Sequence, residues 1–98
     1  MKYLLPNENL IRKYLDAVKN TFENFGGQQS ALIICKYYDI NEIADIFEKE
    51  LPFLERKLCG NNIIFWNYEQ NILLIQDDFK HDDITIENKF QYDIIFMI

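Results

Sequence analysis

The side chains best suited to chemistry lie close together near the C-terminus. Asp77, Asp78, His81, Asp82 and Asp83 offer carboxylate oxygens and one imidazole within seven positions. Such a set can accept a divalent cation. It has neither the glycine nor the distal glutamate of an EF-hand loop, and His81 is the single histidine of the chain, so a transition metal would lack a second imidazole. The same scarcity limits nucleophilic catalysis, which needs a nucleophile and a base within reach: the chain has one Ser (Ser30), two Thr (Thr21, Thr85) and one His (His81). Acidic residues are plentiful enough for an acid/base pair, but no two are singled out on facing strands above a cleft. Gly26-Gly27-Gln28-Gln29-Ser30 lacks the lysine and the spacing of a phosphate-cradling loop, and it follows a helix instead of preceding one. Cys35 and Cys59 stand 24 positions apart with no C-x-x-C, which predicts two reduced thiols and neither a zinc pair nor a redox dithiol. The expectation is a chain with no cofactor, no bound metal and no enzymatic activity. The catalytic alternative is a small metal-dependent enzyme centred on His81.

Charge and aromatic residues point towards binding. Lys and Arg number 10 against 16 Asp and Glu, a net charge of −6. A field of that sign repels phosphate backbones and anionic lipid, which argues against nucleic acid and membrane as partners and for a basic protein. From Asp77 to Ile98 the acids Asp77, Asp78, Asp82, Asp83, Glu87 and Asp93 outnumber Lys80 and Lys89 six to two, which puts −4 of the −6 in one segment. Charge gathered in this way speeds encounter with a basic surface, although a solvated loop that only maintains solubility has the same composition. Tyr37, Tyr38, Trp66 and Tyr68 fall at the ends of predicted strands, where large contact area joined to a polar tip suits an interface anchor. The alternative for Trp66 is plain core packing under a helix.

The elements that must position these groups are legible from pattern. Ninety-eight residues, 49% hydrophobic and 27% charged, predict one globular domain over 1–98. Asn7 can cap a helix with a stripe at Leu10, Ile11, Tyr14, Leu15, Val18, Phe22 and Phe25, stopped by Gly26-Gly27. Ala31 to Cys35 is an apolar run of the length of a central strand buried on both faces. Asp39 and Glu42 have capping-box spacing, and Ile43, Ile46, Phe47, Leu51, Leu54 and Leu58 predict a second helix running to Gly60, kinked or broken at Pro52. Ile63 to Tyr68 and Ile72 to Gln76 predict a hairpin about the turn 69–71; Ile84 to Glu87 and Phe90 to Ile98 predict two further strands. The expected fold class is α+β, in the order α-β-α-β-β-β-β. Two helices would cover one face of a mixed, mainly antiparallel sheet of about five strands, a two-layer sandwich. On the other face, Ile64, Trp66, Ile95 and Met97 would leave apolar surface for a partner or a second copy, a homodimer. No apolar run is long enough to span a bilayer and no leader pattern opens the chain, which predicts a cytoplasmic protein.

Phe, Tyr, Met, Ile, Asn and Lys, written with A/T-rich codons, outnumber Gly, Ala, Arg and Pro by 49 to 10, a usage met in some bacteria, phages and mobile elements. In size, negative charge and make-up the chain resembles the small acidic immunity proteins with which bacteria neutralise nuclease toxins. The resemblance implies a tight complex with a cognate basic toxin domain and transfers no residue role. The charge and ring chemistry read above predict steering by Asp77, Asp78, Asp82, Asp83, Glu87 and Asp93 and anchoring by Tyr37, Tyr38, Trp66 and Tyr68. An anionic decoy, such as a phage anti-defence protein occupying a nucleic-acid groove, is the alternative within the binding class.

Overall fold

A computed structural model describes residues 3–24, 29–77 and 92–98. The elements run α1 (Glu8–Asn24), β1 (Gln29–Cys35), α2 (Ile40–Glu50), β2 (Glu55–Cys59), β3 (Asn62–Trp66), β4 (Gln70–Gln76) and β5 (Ile94–Met97). The class is α+β, with two helices and a five-stranded mixed sheet in the order β2-β3-β4-β1-β5.

Local chemistry starts both helices. Asn7 Oδ1 accepts the backbone N–H groups of Asn9 and Leu10 at 3.0 and 3.3 Å, satisfying donors that the first turn of α1 leaves open. Ile11, Leu15, Val18 and Phe22 are then buried at helical spacing, each worth about 1.5–3 kcal/mol of transfer free energy. Asp39 caps α2 with extended backbone and accepts Asn41 N–H at 2.8 Å. The predicted helix stop at Gly26-Gly27 and the predicted strand Ile84 to Glu87 lie outside the described residues.

The second helix is shorter than its apolar stripe predicts. It ends at Glu50, with Leu51 as cap at φ −127°, ψ 60°. Pro52 disfavours helical backbone at the residue before it and supplies no N–H of its own, so the chain turns, with Leu54 N–H donating to Leu51 C=O at 3.1 Å. Beyond the turn the chain forms neither a kinked continuation nor a second helix but strand β2. This strand folds onto β3 through Gly60, whose φ of +65° suits a residue without a Cβ. Leu54 stays buried, whereas Leu58 is 80% exposed.

The sheet is also less antiparallel than predicted. β1 pairs in parallel with both β4 and β5, while β2 with β3 and β3 with β4 are antiparallel. Registry sorts the side chains into rows. Phe65, Ile72, Ala31 and Ile94 form one row and Ile63, Leu74, Ile33 and Phe96 another, and these join the buried stripes of both helices in the core. Phe47 packs on Phe65 and Tyr14 meets Phe96 edge-on, with ring centroids 6.0 and 5.2 Å apart.

At the C-terminal end of the parallel strands, the Gln76 carboxamide ties three segments together. Its Oε1 accepts Ile40 N–H at 2.8 Å at the start of α2, and its Nε2 donates to Cys35 C=O at 2.8 Å and Tyr38 C=O at 3.0 Å. We expect Gln76→Ala to cost about 2–3 kcal/mol, because partly buried backbone groups lose their partner. Asp39→Ala, which loses one cap bond, should cost about 1 kcal/mol. Urea denaturation of both variants checks the order.

Candidate interaction surface

The face of the sheet opposite the helices carries its own rows. Its base row is Glu55, Trp66, Asn71, Ser30 and Asp93; the middle row is Lys57, Ile64, Leu73, Leu32 and Ile95; the upper row is Cys59, Asn62, Ile75, Ile34 and Met97. Leu32 and Ile34 are buried although they lie outside the helix-side core. Ile64, Leu73, Ile75 and Ile95 are half-buried and Met97 is exposed. This face is therefore apolar at its centre, with carboxylates at both ends of its base row.

Trp66 and Tyr68 meet at one corner of that base. Asn67 Oδ1 accepts the N–H groups of Glu69 and Gln70, both at 2.8 Å, which closes the β3–β4 turn and holds Tyr68 outward at 90% exposure. The two rings stand edge to face with centroids 6.2 Å apart, and Lys57 Nζ lies 4.6 Å from the centroid of the Trp66 ring. A cation at that distance is attracted by the ring quadrupole and limits the ring's movement. Trp66 Nε1 is buried and has no hydrogen-bond partner among the described residues.

Tyr37 and Tyr38 belong to the opposite end of the sheet. They follow the C-terminus of β1, whereas Trp66 lies level with its start, a separation of roughly 20 Å at the rise of a strand. The four aromatics thus form two groups at opposite ends of the sheet and do not make one cluster. Tyr37 is 52% exposed beside Leu4, whose N–H donates to Tyr37 C=O at 2.8 Å; Leu4 itself is 56% exposed. Tyr38 is half-buried and packs against the core.

The acids divide in a similar way. Asp77 is buried, donates its N–H to Cys35 C=O at 2.9 Å and pairs with Lys36 Nζ at 3.7 Å, so it is a structural carboxylate and not the exposed steering charge expected from sequence. Asp93 is exposed; its Oδ2 accepts Ser30 N–H at 2.9 Å. Asp78, Asp82, Asp83, Glu87 and His81 lie outside the described residues. Two carboxylates of α2 that no sequence motif marks also find a role. Asp45 and Glu48 both accept from Arg56 Nη1, at 2.8 and 2.9 Å, and the hydrogen bond to Asp45, more than that to Glu48, raises the already high guanidinium pKa. Glu8, Arg12, Lys49 and Glu50 form a second set of ion pairs joining the helices. The spacing of Asp45 and Glu48 was legible, but their common partner comes from β2, which the sequence pattern assigned to a helix.

Among the described residues no group of three or more His, Cys, Asp or Glu is placed to hold a metal ion, and no helix is long and apolar enough to cross a membrane. Burial, and secondarily the nearby Asp39 charge, push the Cys35 thiol up to about 12, whereas Cys59 is exposed. Because the thiolate is the reactive form, iodoacetamide at pH 8 should modify Cys59 and leave Cys35 intact, as read by peptide mass spectrometry. Compared with known proteins, the chain matches no family model, and no curated protein or solved structure is significantly similar to it.

Proposed function

We propose that this chain is an inhibitor that binds a basic protein and neutralises it in the cytoplasm, as immunity proteins do with nuclease toxins. The observation that carries this reading is the base of the open sheet face, where the Trp66–Tyr68 corner shares an edge with Glu55 and Asp93. An exposed tyrosine on a turn fixed by Asn67 presents rigid contact area at low entropic cost, and the flanking carboxylates complement lysine or arginine on a partner. The net charge of −6 adds a long-range attraction that raises the encounter rate with a basic surface and discourages acidic partners. The acids that sequence places between Asp77 and Asp93 strengthen that field. Charge would then govern the association rate and partner choice, and the aromatic corner the lifetime of the complex.

The test first reads the frame adjacent to this gene, which on this proposal encodes a basic nuclease toxin, and then titrates that toxin domain with the chain while nuclease activity is followed. An adjacent frame with no such domain counts against the proposal. Stoichiometric addition should abolish the activity. Raising salt from low to physiological should slow association by about tenfold or more. Tyr68→Ala, at an exposed position that leaves the fold intact, should weaken binding by about 2 kcal/mol, roughly thirtyfold, mainly through faster dissociation. A salt-independent on-rate together with unchanged affinity of the Tyr68 variant would refute the proposal.

A further inference from the structure

A concavity lies on the helix side of the sheet, and its lining reaches Gln70 at the end of the turn that carries Tyr68. It has a volume of about 320 Å³ and is bounded by the C-terminal half of α1, the turn after α2 and the start of β4. Val18, Phe22, Leu51, Leu54 and Ile72 form an apolar floor continuous with the core, and Phe53, 57% exposed, adds an aromatic wall. The turn at Pro52 places that wall: a helix continuing to Gly60 would have carried Phe53 away from β4.

The polar residues of the lining are an ammonium, a carboxylate and a carboxamide: Lys19, Glu23 and Gln70. Lys19 and Glu23 are one helical turn apart on α1 and make no ion pair with each other or with any other described residue, as is also true of Lys13, while Arg12, Lys49 and Arg56 are paired. An apolar floor bordered by a few polar groups, in this volume range, is a form that small-ligand sites take. The charges narrow the ligand. A simple apolar carboxylate would meet Lys19 but face Glu23 with like charge, and an apolar amine would meet the reverse conflict. A ligand bearing both charges on adjacent atoms of its head, with an apolar body, satisfies both.

We propose that this cavity binds a free amino acid with a large apolar side chain. The α-carboxylate faces Lys19, the α-ammonium faces Glu23, and the side chain lies on the floor against Phe53. The proposal does not rest on the inhibitory reading: Tyr68 and Trp66 are not in the lining, and only Gln70 adjoins the turn that carries Tyr68.

The experiment titrates the full chain with L-leucine, L-phenylalanine and L-tryptophan by calorimetry and by amide NMR, with 3-phenylpropionate and phenethylamine as single-charge probes. At least one amino acid should bind saturably and shift the amides of Val18, Phe53 and Ile72. The single-charge probes should bind at least about fivefold more weakly than phenylalanine, a factor suited to partly exposed charge contacts. Lys19→Met and Glu23→Gln, both outside the core, should each weaken binding by about the same factor while circular dichroism and thermal midpoint stay unchanged. Absence of saturable binding by all three amino acids, shifts confined to other residues, equal binding of either single-charge probe, or indifference to both substitutions would overturn the assignment.

Discussion

Strand β1 is hydrogen-bonded on both sides to parallel neighbours, and the location of every other element depends on that pairing. A parallel pair cannot be closed by a tight turn, so the chain must travel between β1 and β4 through a long connection. That connection is α2 and the β2–β3 hairpin. The helix returns the chain over the core, and the hairpin widens the sheet before β4 takes its place beside β1. Gln76 secures the arrangement where it is most exposed to failure, at the ends of the parallel strands, by satisfying backbone groups from β1, the loop after it and α2 at once.

The two faces of the sheet then acquire different roles. Residues aligned with Ala31, Ile33 and Cys35 are covered by the helices and saturate the core. Residues aligned with Ser30, Leu32 and Ile34 form a face that is apolar in the middle and polar along its base, with Trp66 and Tyr68 at a corner. A one-residue slip in any strand would exchange these sets, so the hydrophobic pattern that builds the core also determines which aromatics lie on the opposite face.

Charge has a comparable division of labour. Among the described residues most cations are held against carboxylates within the helices and β2, in exposed pairs that contribute little to stability and whose fields largely cancel. Lys36 and the buried Asp77 are different, since they lie at the strand ends where the carboxylate is shielded from solvent. The excess negative charge adds a long-range field, which the proposed function uses in encounter.

Local rules were enough for much of this protein. The Asn7 and Asp39 caps, the stripe of α1, the central strand and the β3–β4 hairpin all arise from side-chain chemistry within a few residues, and they were legible in the sequence. The extent of α2 was not, because Leu54 and Leu58 continue a helical spacing by coincidence. The contrary signals were Pro52 and the Gly60-Asn61 pair, a two-residue hairpin loop in which Gly60 takes a positive φ. Glu55 to Cys59 has no strong strand alternation of its own and becomes a strand by pairing with β3. Sequence likewise supplied the tyrosines, the tryptophan and the excess of acids. Only the tertiary structure separated the aromatics to opposite ends of the sheet, buried Asp77 against Lys36 and brought Lys19, Glu23 and Gln70 around one cavity. Those outcomes depend on strand order and register, which are set by contacts between residues far apart in the chain.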